Sequence, residues 1–590
     1  MSKTESEDPN VITYEVVAAP GQVSNIVEYK KSDGTILYSM SPTGVQTVTP
    51  GTKIINALDM AGTAYSGTQV IAAIAALPVT GGTVYLSAGT WTFTAVIDVP
   101  AHITVRGAGD ATVIHDYGFL IGEAGCTIED MSFTGSYTNG YAAFVCTPGS
   151  DATFRNLSAT LDNTHVAAFG FYANASTLDG IYIENCRAID CDCMGFFFGG
   201  EGIGPKIKNV WIINSVAVNC GRAARYTDWD VGFSLAEQPD VENMFVVGCS
   251  ASGSWESGFH FEDAPTKTNV QLIGCRSYDN GQKTGGAVYG AGFLVSPGIT
   301  LSDCVSMNNA RGYTMGNVVA GVLTINNCRD TGSGCSLKGG GSVGAVHIDG
   351  FVSEGATTNP IYTPGLSNVR ARNVCIYDPV GDVTNGYCAI ISAVGAFTSD
   401  NLDWELNVSG GTGAGVEFLI LANGATNLRL RGHLDCSDDV SLPIYSDTSD
   451  DLLIEDMTIF AHGGGTAIYV GADCTNVLIK NTHIEDRATI PNLAVGVDGG
   501  GVAVIDKDSV ICIGVTAPFV SCLFRANSGT STGTGAQQTV AHGLVATPTD
   551  VILSEYTTGL AIPYQSAAAD ATNIYVLATL NKTWAWRAKV

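Results

Sequence analysis

The hydrophobic and polar positions of this chain repeat as one short phrase from about residue 87 to residue 528. Each copy has an alternating strand, an Asn, Gly or Asp before a cysteine, a turn, and a second strand that opens with glycine and an aromatic residue. The cysteine step occurs at Asn185-Cys186, Gly248-Cys249, Gly274-Cys275, Asp303-Cys304 and Asn327-Cys328, with Asn214-Ser215 in the same place between the first two. A period of about 20 to 50 residues is typical of a solenoid, in which stacked repeats bury one another's apolar faces. Because the runs are short and rich in β-formers, the pattern predicts a β-helix whose equivalent positions become neighbours in space.

Two further patterns lie before the repeats. Alternating runs on either side of Asp33-Gly34 predict a β-hairpin near the N-terminus. Apolar residues at helical spacing from Ser66 to Leu77, stopped by Pro78, predict a helix at the start of the solenoid. A Gly/Ser/Thr-rich stretch near residue 530 reads as a flexible linker into a small C-terminal β module. The predicted parts are residues 1–55, residues 56–528 and residues 529–590.

Charge and hydropathy narrow the range of partners. The formal net charge is −28, with 28 Lys and Arg among 590 residues and no basic cluster, so nucleic acid is an unfavourable partner. No run of about eighteen apolar residues occurs, so no membrane span is predicted. Residues 1–10 are not followed by an apolar segment, so no secretory signal peptide is expected. A long β-helix without a signal peptide favours release by lysis, together with a virion, over secretion.

The seventeen cysteines admit two interpretations, disulfides or buried thiols. Cysteines at one position of stacked coils would lie about 4.8 Å apart with parallel side chains, whereas a disulfide needs Cβ atoms that are closer and turned toward each other. The pattern therefore favours a ladder of inward thiols. A second row lies five residues after the first and consists of Cys191, Cys220, Ser254, Asn280 and Asn309. Its asparagines predict hydrogen bonds from coil to coil.

The glycine-aromatic strands provide candidate site positions. Alternation along a strand assigns the aromatic residues that follow Gly232 and Gly258 to the core. The opposite, outward face then carries Ser234, His260 and Glu262. Extending the alternation back along the chain adds more carboxylates to this face, namely Asp228, Asp230 and Glu256.

Asp230 and Glu256 occupy matching positions on neighbouring predicted coils, about 5 Å apart at the backbone. Glycoside hydrolysis needs two such carboxyl groups, one protonated and one ionised. The separation on adjacent coils suits a retaining mechanism, whereas Asp228 with Glu256, or Asp230 with Glu262, would suit an inverting one. These choices stay open.

Several residues around the acids suit a sugar-binding groove. Two insertions, residues 221–227 and residues 281–289, would wall the coil that holds Glu256, and functional residues favour such loops on a rigid scaffold. Aromatic side chains can stack on sugar rings, and polar ones can bind hydroxyl groups. The predicted substrate-binding residues are Trp229, Trp255, Tyr226, Tyr289, Arg225, Ser234 and Asp263, with His260 and Glu262 supporting the catalytic acids.

No cofactor is expected. An acidic cluster that includes Asp435, Asp438 and Asp439 could bind Ca²⁺ through carboxylate oxygens, but no EF-hand spacing is present and turn residues are the favoured interpretation.

Two segments carry a resemblance to a known family. The predicted helix is followed by Gly81–Trp91 (GGTVYLSAGTW) and by Gly107–Ile114 (GAGDATVI). This opening resembles right-handed parallel β-helix proteins of the pectate-lyase-like superfamily, especially tailspikes and tail fibres of prokaryotic viruses. The resemblance covers residues 60–525. It implies an all-β, right-handed parallel β-helix whose first helix caps the open end, with small N-terminal and C-terminal β pieces.

The same resemblance implies a function in host adhesion. Such a protein would be a homotrimeric virion component that binds a host cell-surface polysaccharide, acts outside the cell and cleaves the polysaccharide as an endo-acting glycoside hydrolase. Residues 1–55 would contact other tail or baseplate proteins, and residues 529–590 would trimerise, touch the receptor or cap the coil. Trp584 and Trp586 share one strand face in the last module, and burial of both in the core is favoured over a role in stacking on sugars.

Two other functions fit the same fold. A polysaccharide lyase could use His260, Tyr289, Lys283 and Arg225, although an acidic groove would repel a uronate. A non-catalytic adhesin or structural fibre would keep its binding after loss of the Glu256 carboxylate. No motif diagnostic of one reaction is present.

Overall fold

The structure is a computed structural model whose chain forms two compact units, Met1–Ala320 and Gly321–Val590. Both consist almost entirely of β-strands, and the predicted all-β class and parallel β-solenoid are confirmed. The predicted boundaries near residues 55 and 528 stay predictions. The described residues are 13–16, 27–30, 36–40, 46–48, 52–136, 144–146, 150–162, 167–173, 177–192, 194–199, 206–221, 230–235, 240–261, 266–281, 290–316, 321–339, 344–379, 387–392, 399–410, 418–422, 424–435, 442–461, 465–487, 493–497, 502–506, 509–515, 517–532, 534, 536–555, 563–578 and 583–590.

The N-terminal strands pair antiparallel in chain order, and then the chain enters the solenoid. Val27–Lys30 pairs with Ile36–Met40, which confirms the predicted hairpin strands, while residues 31–35 lie outside the described residues. The predicted helix spans Gly67–Ala75, with Ser66 as its N-cap, and buries Val70 and Ala73. The N-terminal strands are Thr13–Val16, Val27–Lys30, Ile36–Met40, Gln46–Val48 and Thr52–Asn56. Two described 3₁₀ turns span Ala57–Asp59 and Gly109–Ala111. Within the described part of the chain, no helix has the length and hydrophobicity needed to cross a bilayer.

The solenoid part of the first unit has two sets of parallel strands, here called the major sheet and the minor sheet. The major-sheet strands are Gly82–Tyr85, Gly89–Thr92, Ile103–Arg106, Thr112–His115, Thr127–Ser136, Ser150–Asp162, Leu178–Glu184, Arg187–Ile189, Lys206–Ile213, Val216–Val218, Asp240–Val247, Ser250–Ser252, Lys267–Ile273, Arg276–Tyr278, Ile299–Ser302 and Val305–Met307. The minor-sheet strands are Ile97–Val99, Phe119–Ile121, Phe144–Cys146, Ala167–Tyr172, Met194–Gly199, Phe233–Leu235, Phe259–Phe261, Phe293–Val295 and Arg311–Met315.

The second unit repeats the same arrangement. Its major-sheet strands are Val322–Asn326, Arg329–Thr331, Ala345–Asp349, Val352–Glu354, Val369–Tyr377, Ser399–Ser409, Ala425–Asp435, Asp450–Ala461, Val477–Asp486, Ala503–Asp506, Ile511–Ile513 and Leu523–Thr532. Its minor-sheet strands are Cys335–Gly339, Ile361–Tyr362, Tyr387–Ser392, Phe418–Ala422, Leu442–Ser446, Thr466–Val470, Leu493–Val497 and Ala517–Val520. The remaining strands pair antiparallel and are Gln537–Ala541, Asp550–Glu555, Tyr564–Ala567, Asn573–Leu577 and Thr583–Lys589. Trp584 and Trp586 are buried in that last module's apolar cluster, so the core interpretation of both is confirmed.

The residue before each ladder cysteine explains the Asn/Gly/Asp preference of the repeat. Asn185, Gly248, Gly274 and Asp303 have φ angles of 53°, 63°, 61° and 56°, and Asn214 has 50°. Only glycine and, to a lesser degree, Asn and Asp adopt this left-handed conformation at low cost. The turn therefore selects the residue types that mark the repeat.

Behind these turns, the first unit's interior confirms the predicted ladders. Cys186, Cys249, Cys275 and Cys304 are free thiols, all fully buried, and burial raises the pKa of Cys186 and Cys249 to about 12. The aromatic row of the minor sheet is a continuous stack, with neighbouring ring centroids 4.6–5.0 Å apart. The stacked rings are those of Phe196, Phe233, Phe259, Phe293 and Tyr313.

A charged ladder on the first unit's major sheet was not predicted. Glu129 lies between Arg106 and Arg155 on the preceding and following coils, and forms ion pairs with both. The Glu129 side chain is 4% exposed, whereas both arginines are about half-exposed. This acid is thus held on the scaffold by two cations, at a distance in sequence from the candidate site.

Candidate functional site

Asp230 and Glu256 lie on adjacent coils, as their spacing predicts. The backbone N–H of Glu256 donates to the carbonyl oxygen of Asp230 at 3.2 Å. Two residues later the N–H of Gly232 donates to the Ser257 carbonyl oxygen at 3.1 Å, so the register continues into the minor sheet. The parallel pairing of the coils therefore holds the two acidic residues side by side.

Past this corner, Phe233–Leu235 and Phe259–Phe261 form an in-register parallel pair. Phe233 stacks on Phe259 in the interior, so the residues between the inward positions, Ser234 and His260, lie opposite each other on the outer face. The predicted assignment of this row is correct for the two strands. The row also includes Phe197 on the preceding coil.

His260 reaches back to Glu256 along its own coil. The Nδ1 atom of His260 lies 3.0 Å from Oε1 of Glu256, and the two side chains are 2% and 1% exposed. The imidazole and the carboxyl group are thus within ion-pair distance of each other. The pair is therefore an oriented Glu–His unit shielded from bulk water.

The burial of this site differs from the solvent-exposed wall expected from the sequence. Asp230, Ser234, Glu256 and His260 are at most 2% exposed. The extension of alternation through Gly232 is wrong, because a Cβ on Gly232 would meet Ala217 and Ala251 in the interior. The chain bends at this glycine, so strand alternation does not continue back to residue 230.

Small residues bring the coils close together beneath the acids. Gly221 has φ +74°, and a Cβ placed there would lie 2.1 Å from the Asp230 Cβ. Only glycine satisfies both the left-handed backbone and this close approach. Gly221 therefore fixes where Asp230 can lie, a contact that its position at the start of a loop did not signal.

The asparagine ladder supports the other acid. Asn280 Oδ1 accepts the backbone N–H of Ser254 at 2.9 Å, and Asn309 Oδ1 accepts that of Asn280 at 2.8 Å. These bonds confirm the predicted coil-to-coil role of the asparagines. Because Glu256 follows Ser254 by two residues, the ladder holds the turn that presents its carboxylate.

Trp255 lies between the ladder and Glu256 and is half-buried. Its backbone N–H donates to the Cys220 carbonyl oxygen at 3.0 Å. Its indole Nε1 is buried and has no acceptor among the described residues. An indole N–H in that state suits a ligand that brings hydrogen-bond acceptors, as a sugar does.

The remaining predicted site residues cannot be placed beside this group. Those outside the described residues are Arg225, Tyr226, Asp228, Trp229, Glu262, Asp263 and Tyr289. Within the described ranges, no group of three or more His, Cys, Asp or Glu side chains is arranged to hold a metal ion. Asp438 and Asp439, of the acidic cluster considered for Ca²⁺, also fall outside those ranges.

Solved structures of phage tailspike proteins resemble this chain. The Pseudomonas phage phi297 tailspike gp61 is 12% identical, with 88% of this chain and 91% of that chain covered and a TM-score of 0.31. The tailspike of E. coli bacteriophage HK620 in complex with a pentasaccharide is 10% identical, with coverages of 89% and 90% and a TM-score of 0.35. A mutant of that tailspike in complex with a hexasaccharide is 9% identical, with coverages of 89% and 89% and a TM-score of 0.36. No protein-family model and no curated protein matches the sequence. Likeness at these identities and TM-scores assigns no activity or ligand to this chain.

Proposed function

We propose that this protein is a tailspike-like receptor-binding protein of a prokaryotic virus, which binds a polysaccharide on the host surface and hydrolyses it at Asp230 and Glu256. The observation that carries the proposal is the buried Glu256–His260 pair with Asp230 on the adjacent coil. A solenoid needs no charged group at such a place for its own stability, because burial of an ionisable side chain is costly. Buried titratable groups with specific partners are concentrated at functional sites.

The contacts assign different roles to the two acids. Glu256, which has the His260 imidazole beside it, is the carboxylate that acts as nucleophile or base. Asp230 is the proton donor to the leaving oxygen. His260 is a positioning residue that orients Glu256, and adjacency of the coils favours the shorter, retaining separation.

The surroundings suit a glycan more than a small apolar ligand. The buried Trp255 N–H can donate to a sugar oxygen, and the indole offers a surface for ring stacking. Attachment to a virion through the N-terminal region and assembly as a homotrimer complete the proposal; both rest on the resemblance to tailspikes.

The test is cleavage of purified host-surface polysaccharide by the full chain, followed through product size and new reducing ends. Glu256→Gln and Asp230→Asn should each lower the rate by roughly 10²-fold or more, because each removes a proton-transfer or nucleophilic group. Glu129→Gln is the matched control, since it also removes a buried carboxylate from the first unit but lies away from the site. It should retain the wild-type rate. Equal rates for the wild type, Glu256→Gln and Asp230→Asn would exclude this site.

A lyase is the second candidate, and the Glu256–His260 contact favours it because a carboxylate partner makes histidine a better base. Elimination creates an unsaturated sugar that absorbs in the ultraviolet, whereas hydrolysis does not. A rise in absorbance in step with chain shortening would replace hydrolysis by elimination, with His260 as the base. Binding without any shortening would leave a non-catalytic adhesin.

A further inference from the structure

An aromatic ridge runs along the outer face of the first unit's major sheet. Tyr182, Trp211 and Phe245 occupy one row of three consecutive coils. Each lies between two buried residues of its strand, so all three point outward. Trp211 is 36% exposed. The three aromatic side chains lie on neighbouring coils and form a contiguous surface, and contiguous apolar patches mark interaction sites whereas single exposed residues do not.

A second row two residues along makes the ridge into a patch. It consists of Ile213, Val247 and Ile273 on consecutive coils, all partly exposed. A polar residue borders each row: Glu184 lies before Ile213 in the second row, and Gln271 lies after Phe245 in the first. An apolar patch with a polar rim is the arrangement typical of a protein interaction site.

The ring geometry argues against a sugar platform here. The Trp211 and Phe245 rings are stacked, with centroids 6.0 Å apart and planes 17° apart. Their faces therefore point along the stack of coils toward one another, and ring edges point outward. Sugars bind to aromatic faces, whereas a ridge of edges and aliphatic side chains packs well against another side-chain surface.

Charges beside the patch favour a second copy of this chain as the partner. Asp179, Lys208 and Glu242 form the row before the aromatic ridge, with Lys208 Nζ 3.5 Å from Glu242 Oε2. In a chain of net charge −28 most surfaces of two copies repel each other. At this rim Lys208 and Glu242 neutralise each other within each copy, so copies can approach here with less repulsion than at an acidic surface.

We infer that the patch of Tyr182, Trp211, Phe245, Ile213, Val247 and Ile273 is an anchor of the contact between copies of this chain. The patch extends over about four coils, or roughly 15–20 Å, which is the size of a central cluster rather than of a whole interface. Trp211 is its energetic centre, since buried tryptophan dominates such clusters. The inference deepens the assembly part of the proposed function and does not depend on glycan cleavage.

The experiment measures the molar mass of the full chain in solution over a range of concentrations. The wild type should be an oligomer, and Trp211→Glu should weaken association by at least about 30-fold, because it places a charge in a desolvated anchor. Tyr278→Glu is the matched control, since Tyr278 is also 36% exposed in the same unit but lies on a different strand row. It should keep the wild-type mass. Trp211→Gln tests the same contact without a charge, and a folded Trp211→Gln monomer supports the inference even if Trp211→Glu does not fold.

Several results would overturn the inference. A monomeric wild type, a folded Trp211→Gln and Trp211→Glu that keep the wild-type mass, or equal dissociation of the Tyr278→Glu control would each do so. Loss of glycan retention by Trp211→Glu at unchanged mass would make the ridge a sugar site instead. Cleavage rates do not enter these outcomes, so failure of the proposed hydrolysis and failure of this contact can be told apart.

Discussion

Nδ1 of His260 lies 3.0 Å from Oε1 of Glu256, and both side chains are almost completely buried. The two residues are four positions apart on a coil that bends between them, so the backbone brings a carboxylate under an imidazole without help from another strand. In the proposed reaction this contact holds the Glu256 carboxyl group in position.

The first prediction concerns this contact. His260→Phe should reduce the cleavage rate at least about tenfold, equivalent to about 1.4 kcal/mol, because the Glu256 carboxyl group loses the side chain that holds it in position. His260→Gln, which can still donate, should recover part of the rate. An equal loss of rate in both variants would assign His260 a purely structural role.

Gly221 provides a test of the position of Asp230. Gly221→Ala should lower the cleavage rate at least tenfold, because the new methyl group would lie 2.1 Å from the Asp230 Cβ and must displace it. Gly274→Ala is the matched control: it has a similar φ of +61° but no atom within 4 Å of the added Cβ. Both variants bear the left-handed strain of about 1–2 kcal/mol. Equal activities of the two variants would contradict a role for Asp230 placement.

Asn280 connects the stability of the coil to the site. Asn280→Ala should reduce the free energy of unfolding by about 1–3 kcal/mol, since it leaves the buried Ser254 N–H without its acceptor. Hydrogen exchange at the Ser254 amide should accelerate, and the cleavage rate should fall because Glu256 follows by two residues.

Asn269→Gly is the control for this substitution. It removes an exposed coil-to-coil amide bond, from Asn269 Nδ2 to Asn243 Oδ1, but keeps the left-handed backbone accessible. Its effect should stay within about 0.5 kcal/mol. A similar loss in both variants would mean that buried and exposed ladder amides stabilise the coils equally.

The sequence predicts the repeating scaffold better than it predicts the site. The Asn185-Cys186 step recurs because these coils need a left-handed turn followed by a small buried side chain. This requirement can be recognised in the sequence of each such repeat. The phenylalanine stack and the Asn280 ladder follow from the same period. The adjacency of Asp230 and Glu256 is likewise a consequence of the period.

The other features of the site depend on bends and side-chain contacts that the sequence repeat does not reveal. The alternation of inward and outward side chains stops at Gly232 because the chain bends there. The expectation that Asp230 and Glu256 are exposed is therefore wrong as well. The Glu256–His260 contact joins two residues that lie on either side of the corresponding bend in the next coil. The Arg106–Glu129–Arg155 ladder has the spacing of the coils but alternates in residue type, so a search for like residues passes over it.

The last prediction uses a similar ladder in the second unit. Asp403 accepts hydrogen bonds from Arg372 on the preceding coil and from Arg431 on the following coil, the latter at 2.8 Å. Partial burial raises the pKa of Asp403, but the two guanidinium groups outweigh this effect and hold its pKa below the ordinary value. Such a group stabilises the fold above its unfolded pKa of about 3.9, and the contribution disappears as the pH falls through the lower folded value.

Asp403→Asn should therefore lower the urea midpoint of unfolding at pH 7, and the difference from the wild type should shrink as the pH falls below about 4. Asp473→Asn is the control, since Asp473 is exposed in the same unit and makes no ion pair among the described residues. Its midpoint should follow the wild type throughout. A gap for Asp403→Asn that stays constant down to pH 2 would mean that the side chain stabilises this unit through its shape and neutral hydrogen bonds, because a protonated Asp403 would then serve as well as an ionised one.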